Sequence, residues 1–226
     1  MSNSSKYEII TLDGPSGAGK STIAKLVAKR LSFKYLDTGA MYRAVTLYMI
    51  KHDINIDDKV EIISALNNLN INFDNDGRIY LDTEDVSEAI RSIEVVNLVS
   101  KVSSITEVRQ NMVSLQRKIA EDGNYVIDGR DIGSVVFPNA KYKFYMDASL
   151  DERAKRRHNE ELSKGKNLTY EEVKESIRKR DEFDSNRKDS PLVVPENAYI
   201  IDTTSMTIDD VVKKITDVVL NIKSNS

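Results

Sequence analysis

Residues 14–22 read Gly-Pro-Ser-Gly-Ala-Gly-Lys-Ser-Thr, a complete G-x-x-x-x-G-K-S/T phosphate loop. Each residue type has a task in that chemistry. The glycines Gly14, Gly17 and Gly19, with Pro15, Ser16 and Ala18 between them, let the backbone curl round phosphate oxygens and aim its N–H groups inward. Lys20 is placed to reach the terminal phosphates, the Ser21 hydroxyl is the candidate Mg²⁺ ligand, and Thr22 enters a helix whose positive end faces the anion. An apolar run, Ile9, Ile10 and Leu12, comes before the loop and a helical pattern after it, the context a nucleoside triphosphate site requires.

Acids and arginines recur downstream. Asp37-Thr38-Gly39-Ala40-Met41-Tyr42-Arg43 and Asp128-Gly129-Arg130-Asp131 each follow a strand-like run. Arginine stays charged and offers a planar fork of donors, so arginines converging on strand ends suit a second phosphate. Ordinary ion pairing, Arg130 with Asp128 or Asp131, is the competing reading. Arg180 to Arg187, with Asp181, Glu182 and Asp184 between, suits either a ligand or a solvated helix end. Arg153, Arg156 and Arg157 fall three and four apart on one helix, with Lys164-Gly165-Lys166 beyond. That pattern suits a lid closing over triphosphate, although Glu152, Glu160 and Glu161 could neutralise the same face.

These groups need a frame. Strand-like runs at 8–12, 34–37, 125–128, 142–147 and 199–202 alternate with helix-like runs at 21–31 and 40–51, which predicts a parallel α/β sheet. Substrate groups then gather at the carboxyl ends, where Asp37, Asp128 and Asp147 stand. Ile208, Val211, Val212, Ile215, Val218, Val219 and Ile222 give a last helix with one buried face. One stretch breaks the rhythm: 70–74 and 78–82 alternate about Asp76-Gly77 as a hairpin does. It marks a small inserted domain at about 54–104, completed by the helical pattern around Ile90, Ile93, Val96 and Val99; the core is then 7–53 plus 105–222, with a lid at about 150–168.

Composition narrows the classes. The 226 residues are 40% hydrophobic and 31% charged, as in an ordinary globular protein. A net charge of −3 provides no global field for a nucleic-acid polymer, so anions must be met locally. Without cysteine there is no disulfide, thiolate zinc site or thiol nucleophile, and His52 and His158 lack any motif. The polar residues 1–6 and the short run after them are no signal or membrane span, 223–226 reads as a frayed polar tail, and the default expectation is a cytoplasmic monomer.

The order of motifs resembles the bacterial cytidylate kinase family of the nucleoside monophosphate kinase group. Gly-Pro-Ser-Gly-Ala-Gly-Lys, Asp-Thr-Gly-Ala-Met-Tyr-Arg, Asp-Val-Ser-Glu-Ala-Ile-Arg, Asp-Gly-Arg-Asp-Ile-Gly, Val-Val-Phe-Pro and Asp-Ser-Asn-Arg stand in family order across nearly the whole chain. The resemblance implies an α/β P-loop three-layer sandwich with a parallel sheet flanked by helices, an inserted α+β monophosphate-binding domain and a helical lid. It implies ATP with Mg²⁺ as donor and CMP or dCMP as acceptor. Lys20 and the loop would hold ATP, with Arg153, Arg156 or Arg157 acting from the lid. Arg43 and Arg130 would hold the acceptor phosphate, Arg180 and Asp184 its sugar, and Thr38, Arg109, Asp131 and Arg187 the cytosine. The alternatives are another small-molecule P-loop kinase, of the UMP or shikimate type, and a nucleotide-dependent switch protein; against the switch, the guanine-reading Asn-Lys-x-Asp motif is absent.

Overall fold

The computed structural model describes residues 7–74 and 76–224. Its elements run β1 (Ile9–Asp13), α1 (Lys20–Leu31), β2 (Lys34–Asp37), α2 (Thr38–Lys51), α3 (Lys59–Asn68), β3 (Ile71–Phe73), β4 (Ile79–Leu81), β5 (Glu84–Asp85), α4 (Ile93–Val102), α5 (Thr106–Ile119), β6 (Tyr125–Gly129), β7 (Tyr142–Asp147), α6 (Leu150–Ser163), α7 (Tyr170–Asn186), β8 (Tyr199–Asp202) and α8 (Ile208–Ser224). The chain divides into two compact units, one of residues 7–35 and 120–224, the other Leu36–Ile119.

In the first unit the five-stranded sheet has the order β2-β6-β1-β7-β8, and β1 pairs in parallel with both β6 and β7. Parallel pairing brings carboxyl ends to one edge: Asp13 lies opposite Gly129 and Tyr145, and Leu12 opposite Asp128. The strands are apolar because they are covered. Ile10, Leu12, Val126, Tyr142, Phe144 and Met146 meet Ile23 and Val27 of α1 and Val211, Ile215 and Val219 of α8 in one buried cluster. Helices α6 and α7 form a hairpin with its own small core of Ala154, Val173 and Ile177. Thr169 starts α7 with a full capping box to Glu172, which explains the sharp turn-in after the polar 164–168 stretch.

The last helix extends further than a frayed tail allows. Lys223 and Ser224 belong to α8, where Lys223 pairs with Glu8 and stands 5.0 Å over the Phe33 ring. Residues 225–226, and the 1–6 segment, lie outside the described residues. Among the described residues no helix is long and apolar enough to cross a membrane.

The second unit contains the hairpin: β3 and β4 are antiparallel, with Ile71 opposite Leu81, and β5 adds a short third strand. As a compact unit it takes in more chain than 54–104, because α2 packs on α4 and β4, and α5 on α3. The face of α4 also differs from the expected one. Val95, Val99 and Val102 are buried while Ile93 is 74% exposed. A 3-10 turn holding Ile90 ends at Arg91, and Ser92 then caps a new helix by accepting from Val95, so the phase resets and the Ile90, Ile93, Val96, Val99 series joins two elements.

Gly14 is where the sheet permits the phosphate loop to start. Its φ is +148°, and a Cβ there would sit 2.0 Å from the Met146 carbonyl oxygen. Gly14→Ala must therefore strain the backbone and push β7 away, and we expect a loss of about 3 kcal/mol, or roughly 6–12 °C in Tm by calorimetry.

Candidate phosphate-binding site

The loop between β1 and α1 is braced from several elements of its own unit. Gly17 and Gly19 adopt positive φ, and Gly19 caps α1. Lys20 is buried, and its Nζ folds back to donate to the Pro15 carbonyl oxygen at 2.6 Å. Ser16 is held by both main-chain groups: its N–H donates to Asp181 Oδ1 at 2.9 Å, and its carbonyl accepts from Arg153 Nη1 at 2.9 Å. Arg153 and Asp181 also pair with each other, so α6 and α7 together grip one loop residue. At the start of α1 the Ser21 hydroxyl donates to Asp128 Oδ2 at 2.7 Å, and Tyr35 donates to the other carboxylate oxygen at 2.7 Å.

Charge is crowded here. The Lys20 amine is held well below its ordinary range, first by burial and next by the Arg130 guanidinium, with Arg180 adding to the repulsion and Asp128 and Asp13 opposing it. Arg130 and Arg180 thus act on Lys20 together, and cations that repel one another at a helix N-terminus make a site for an anion. Arg130 pairs with neither Asp128 nor Asp131; its Nε donates to Asp184 Oδ2 at 3.0 Å. Arg187 takes the other Asp184 oxygen at 3.5 Å and also donates to the Ser190 carbonyl. Asp131 is buried beside this group, and its main-chain oxygen accepts from Val135 and Val136 in a π-helical turn over Ile132–Val136.

The three helix arginines part company. Arg153 is buried against the phosphate loop. Arg156 bonds Glu152 and both the carbonyl and hydroxyl of Thr203, while Arg157 is 42% exposed and pairs with Glu160 and Glu161. Asp147, an expected strand-end group, accepts from Ala148 N and so caps its own turn.

The second unit has its own polar cluster. Asp37 caps α2 by accepting from Ala40 N and receives Arg43 Nη2 at 3.4 Å, with Gly39 so close that a Cβ would stand 3.2 Å from both side chains. Thr38 and Tyr42 lie one turn apart on α2, both buried, and the Arg109 guanidinium from α5 lies 5.4 Å over the Tyr42 ring. Arg109 also donates to the Ser103 carbonyl at 3.0 Å.

Residues 10–221 match the sequence profile described as Cytidylate kinase. The chain belongs to the cytidylate kinase family. Curated cytidylate kinases are similar along almost their whole length: that of Fusobacterium nucleatum is 51% identical over 95% of this chain and 98% of its own. That of Clostridioides difficile is 53% identical over 92% and 95%. Among solved structures, a gluconokinase from Sinorhizobium meliloti matches with a TM-score of 0.51 at 10% identity, covering 98% of this chain and 95% of its own. An uncharacterized protein from Eubacterium ventriosum matches at 0.53 with 12% identity, covering 93% and 97%. These two likenesses concern the fold, an α/β architecture with a parallel sheet flanked by helices.

Sequence reasoning passed over three carboxylates of this cytidylate kinase family member. Asp128 reads in sequence as a strand end or a partner of Arg130 rather than of Ser21, and Asp181 lies within a run of charges. Asp13 carried a signal, an acid placed directly before the first loop glycine. Asp181 yields a stability test. Asp181→Ala would leave Arg153 with an uncompensated, largely buried charge and remove the acceptor of Ser16 N–H, so denaturant unfolding should show a loss of about 3 kcal/mol.

Proposed function

We propose that the protein transfers the γ-phosphoryl group of ATP to the phosphate of CMP or dCMP, giving ADP and CDP or dCDP. The observation that carries this reading is the convergence of Lys20, Arg130 and Arg180, which leaves the Lys20 amine short of negative charge in a family member with an intact phosphate loop. A bound polyphosphate supplies that charge and favours the protonated amine.

The acceptor is already an anion, so little general-base work is needed. Catalysis rests on alignment and on neutralising the repulsion between donor and acceptor phosphates. Lys20 and the loop N–H groups hold the donor phosphates, with Arg153, Arg156 or Arg157 of α6 acting from the lid side. A hydroxyl backed by a carboxylate is a hard oxygen donor set that fits Mg²⁺, and Ser21 supported by Asp128 would hold the ion entering with ATP, whose charge offsets that of the phosphates. Arg130 and Arg43 hold the acceptor phosphate. Asp184, oriented by Arg130 and Arg187, accepts from sugar hydroxyls, and Arg180 donates to them. Thr38, Arg109, Asp131 and Arg187 read the base: a carboxylate accepts from the cytosine 4-amino group and repels the carbonyl that uracil has there. Closure of lid and inserted segment excludes water, which would otherwise take the phosphoryl group. The enzyme acts as a cytoplasmic monomer on small nucleotides.

ADP formation with Mg-ATP and each of CMP, dCMP, UMP, AMP and GMP tests the reading, which requires CMP and dCMP to lead. A preference for another acceptor replaces it with a different kinase, and turnover that no acceptor accelerates replaces it with a switch. In the same assay Lys20→Ala should lower kcat by about a hundredfold or more while circular dichroism stays native, since a single group acting on shifting charge is worth ~3 kcal/mol or more.

Asp131→Asn tests base choice. An amide can rotate to serve either base, so the CMP-to-UMP ratio of kcat/KM should narrow by about tenfold to a hundredfold. Equal losses with both substrates would reduce Asp131 to a structural anchor.

A further inference from the structure

Asp13 closes β1 immediately before Gly14 and is completely buried. The transfer step described above gives it no role. Yet its two oxygens each take a main-chain N–H from the turn that follows Asp131: Oδ1 accepts from Ile132 and Oδ2 from Gly133, both at 2.7 Å. The opening N–H groups of a helical turn have no partner within it, and the Asp131 side chain makes no cap bond to its own turn. The cap is delivered instead from β1. The turn is also pressed onto that strand, because a Cβ at Gly133 would stand 2.8 Å from Thr11 Oγ1 and 3.1 Å from Asp13 Oδ2.

We propose that Asp13 is a positioning residue for base choice: by gripping Ile132 and Gly133 it fixes where the Asp131 carboxylate stands relative to the phosphate loop that Gly14 opens. This rests on the reading of Asp131 as the group that recognises cytosine. One buried carboxylate then ties the donor loop to the acceptor-reading turn through two directional hydrogen bonds, and a small displacement of the turn changes discrimination before it changes ATP binding.

The grip depends on protonation. Burial pushes the Asp13 carboxyl from its ordinary 3.8 up to about 7, against the pull of the Gly133 and Ile132 N–H groups. Asp131, facing it from the turn, raises it further, Lys20 on α1 lowers it, and Tyr145 on β7 shares the same field. A protonated carboxyl turns one oxygen into a donor that opposes an N–H, whereas the carboxylate accepts from both. The grip is therefore complete at alkaline pH and loosens as pH falls through about 7.

The test is kcat/KM for CMP and for UMP between about pH 6 and pH 8 in the wild type, Asp13→Asn, Asp131→Asn and Gly133→Ala. The acceptor phosphate is common to both substrates, so its own titration cancels in the ratio. In the wild type the CMP-to-UMP ratio should rise several-fold with pH. In Asp13→Asn, where one N–H loses its acceptor, it should be lowered by about tenfold at the alkaline end and lose its slope. Gly133→Ala, which lifts the turn while leaving Asp13 in place, should narrow the ratio in the same way and stands in if Asp13→Asn does not fold. A merely structural role would lower Tm and the active fraction but leave ratio and slope alone. If Asp131→Asn narrows the ratio and both Asp13→Asn and Gly133→Ala leave it at the wild-type value, the positioning role is overturned while the base reading survives. If Asp131→Asn itself leaves the ratio unchanged, the base reading falls and takes this proposal with it.

Discussion

An amine buried beside two guanidinium groups is the constraint from which much of the first unit follows. Burial first, and then Arg130 and Arg180, keep the Lys20 amine well below its ordinary range, against the opposing pull of Asp128 and Asp13. The negative charge it still lacks is left for a ligand's phosphates. Other polar contacts hold these mutually repelling charges in place: Asp184 takes Arg130, and the Pro15 carbonyl holds Lys20 across the loop.

Holding these cations against their mutual repulsion demands a rigid loop, and the loop is rigid because other elements hold it. Asp181 and Arg153 fix Ser16 from two helices, Met146 leaves no room for a side chain at Gly14, and Asp128 anchors Ser21. Preorganisation of this kind lets fixed dipoles act on phosphate without reorganising at the moment of transfer. The small core shared by α6 and α7 stiffens the hairpin that carries Arg153 and Asp181. Arg156 is committed to Thr203 and Arg157 to its own helix, so the three basic residues of α6 have quite different surroundings despite their even spacing.

The sequence by itself determined those features set by short-range rules. The phosphate loop is one because glycine, lysine and hydroxyl positions within nine consecutive residues, 14–22, define it. The strands at 34–37, 142–147 and 199–202 and the last helix were legible because apolar period and strand-end acids are local signals. The hairpin was legible for the same reason, and the motif order pointed to the family that the profile match identifies. What period alone could not register was a change of phase: Ser92 restarts the helix, so the apolar series across it described no single face.

Tertiary structure decided which charge meets which. An arginine next to two aspartates in sequence, Arg130, turns to Asp184 on a distant helix, and Arg153 and Arg156 reach the Ser16 carbonyl and Thr203, while Arg157 keeps to Glu160 and Glu161 on its own helix. The distant partners of Arg130, Arg153 and Arg156 are not encoded within a turn or two of chain, because a buried guanidinium selects its acceptor by burial and direction rather than by separation in sequence. Asp13 shows this most clearly. Its neighbours in sequence are strand and glycine, and only the parallel register that sets β1 beside β6 brings its two oxygens to the N–H groups of Ile132 and Gly133.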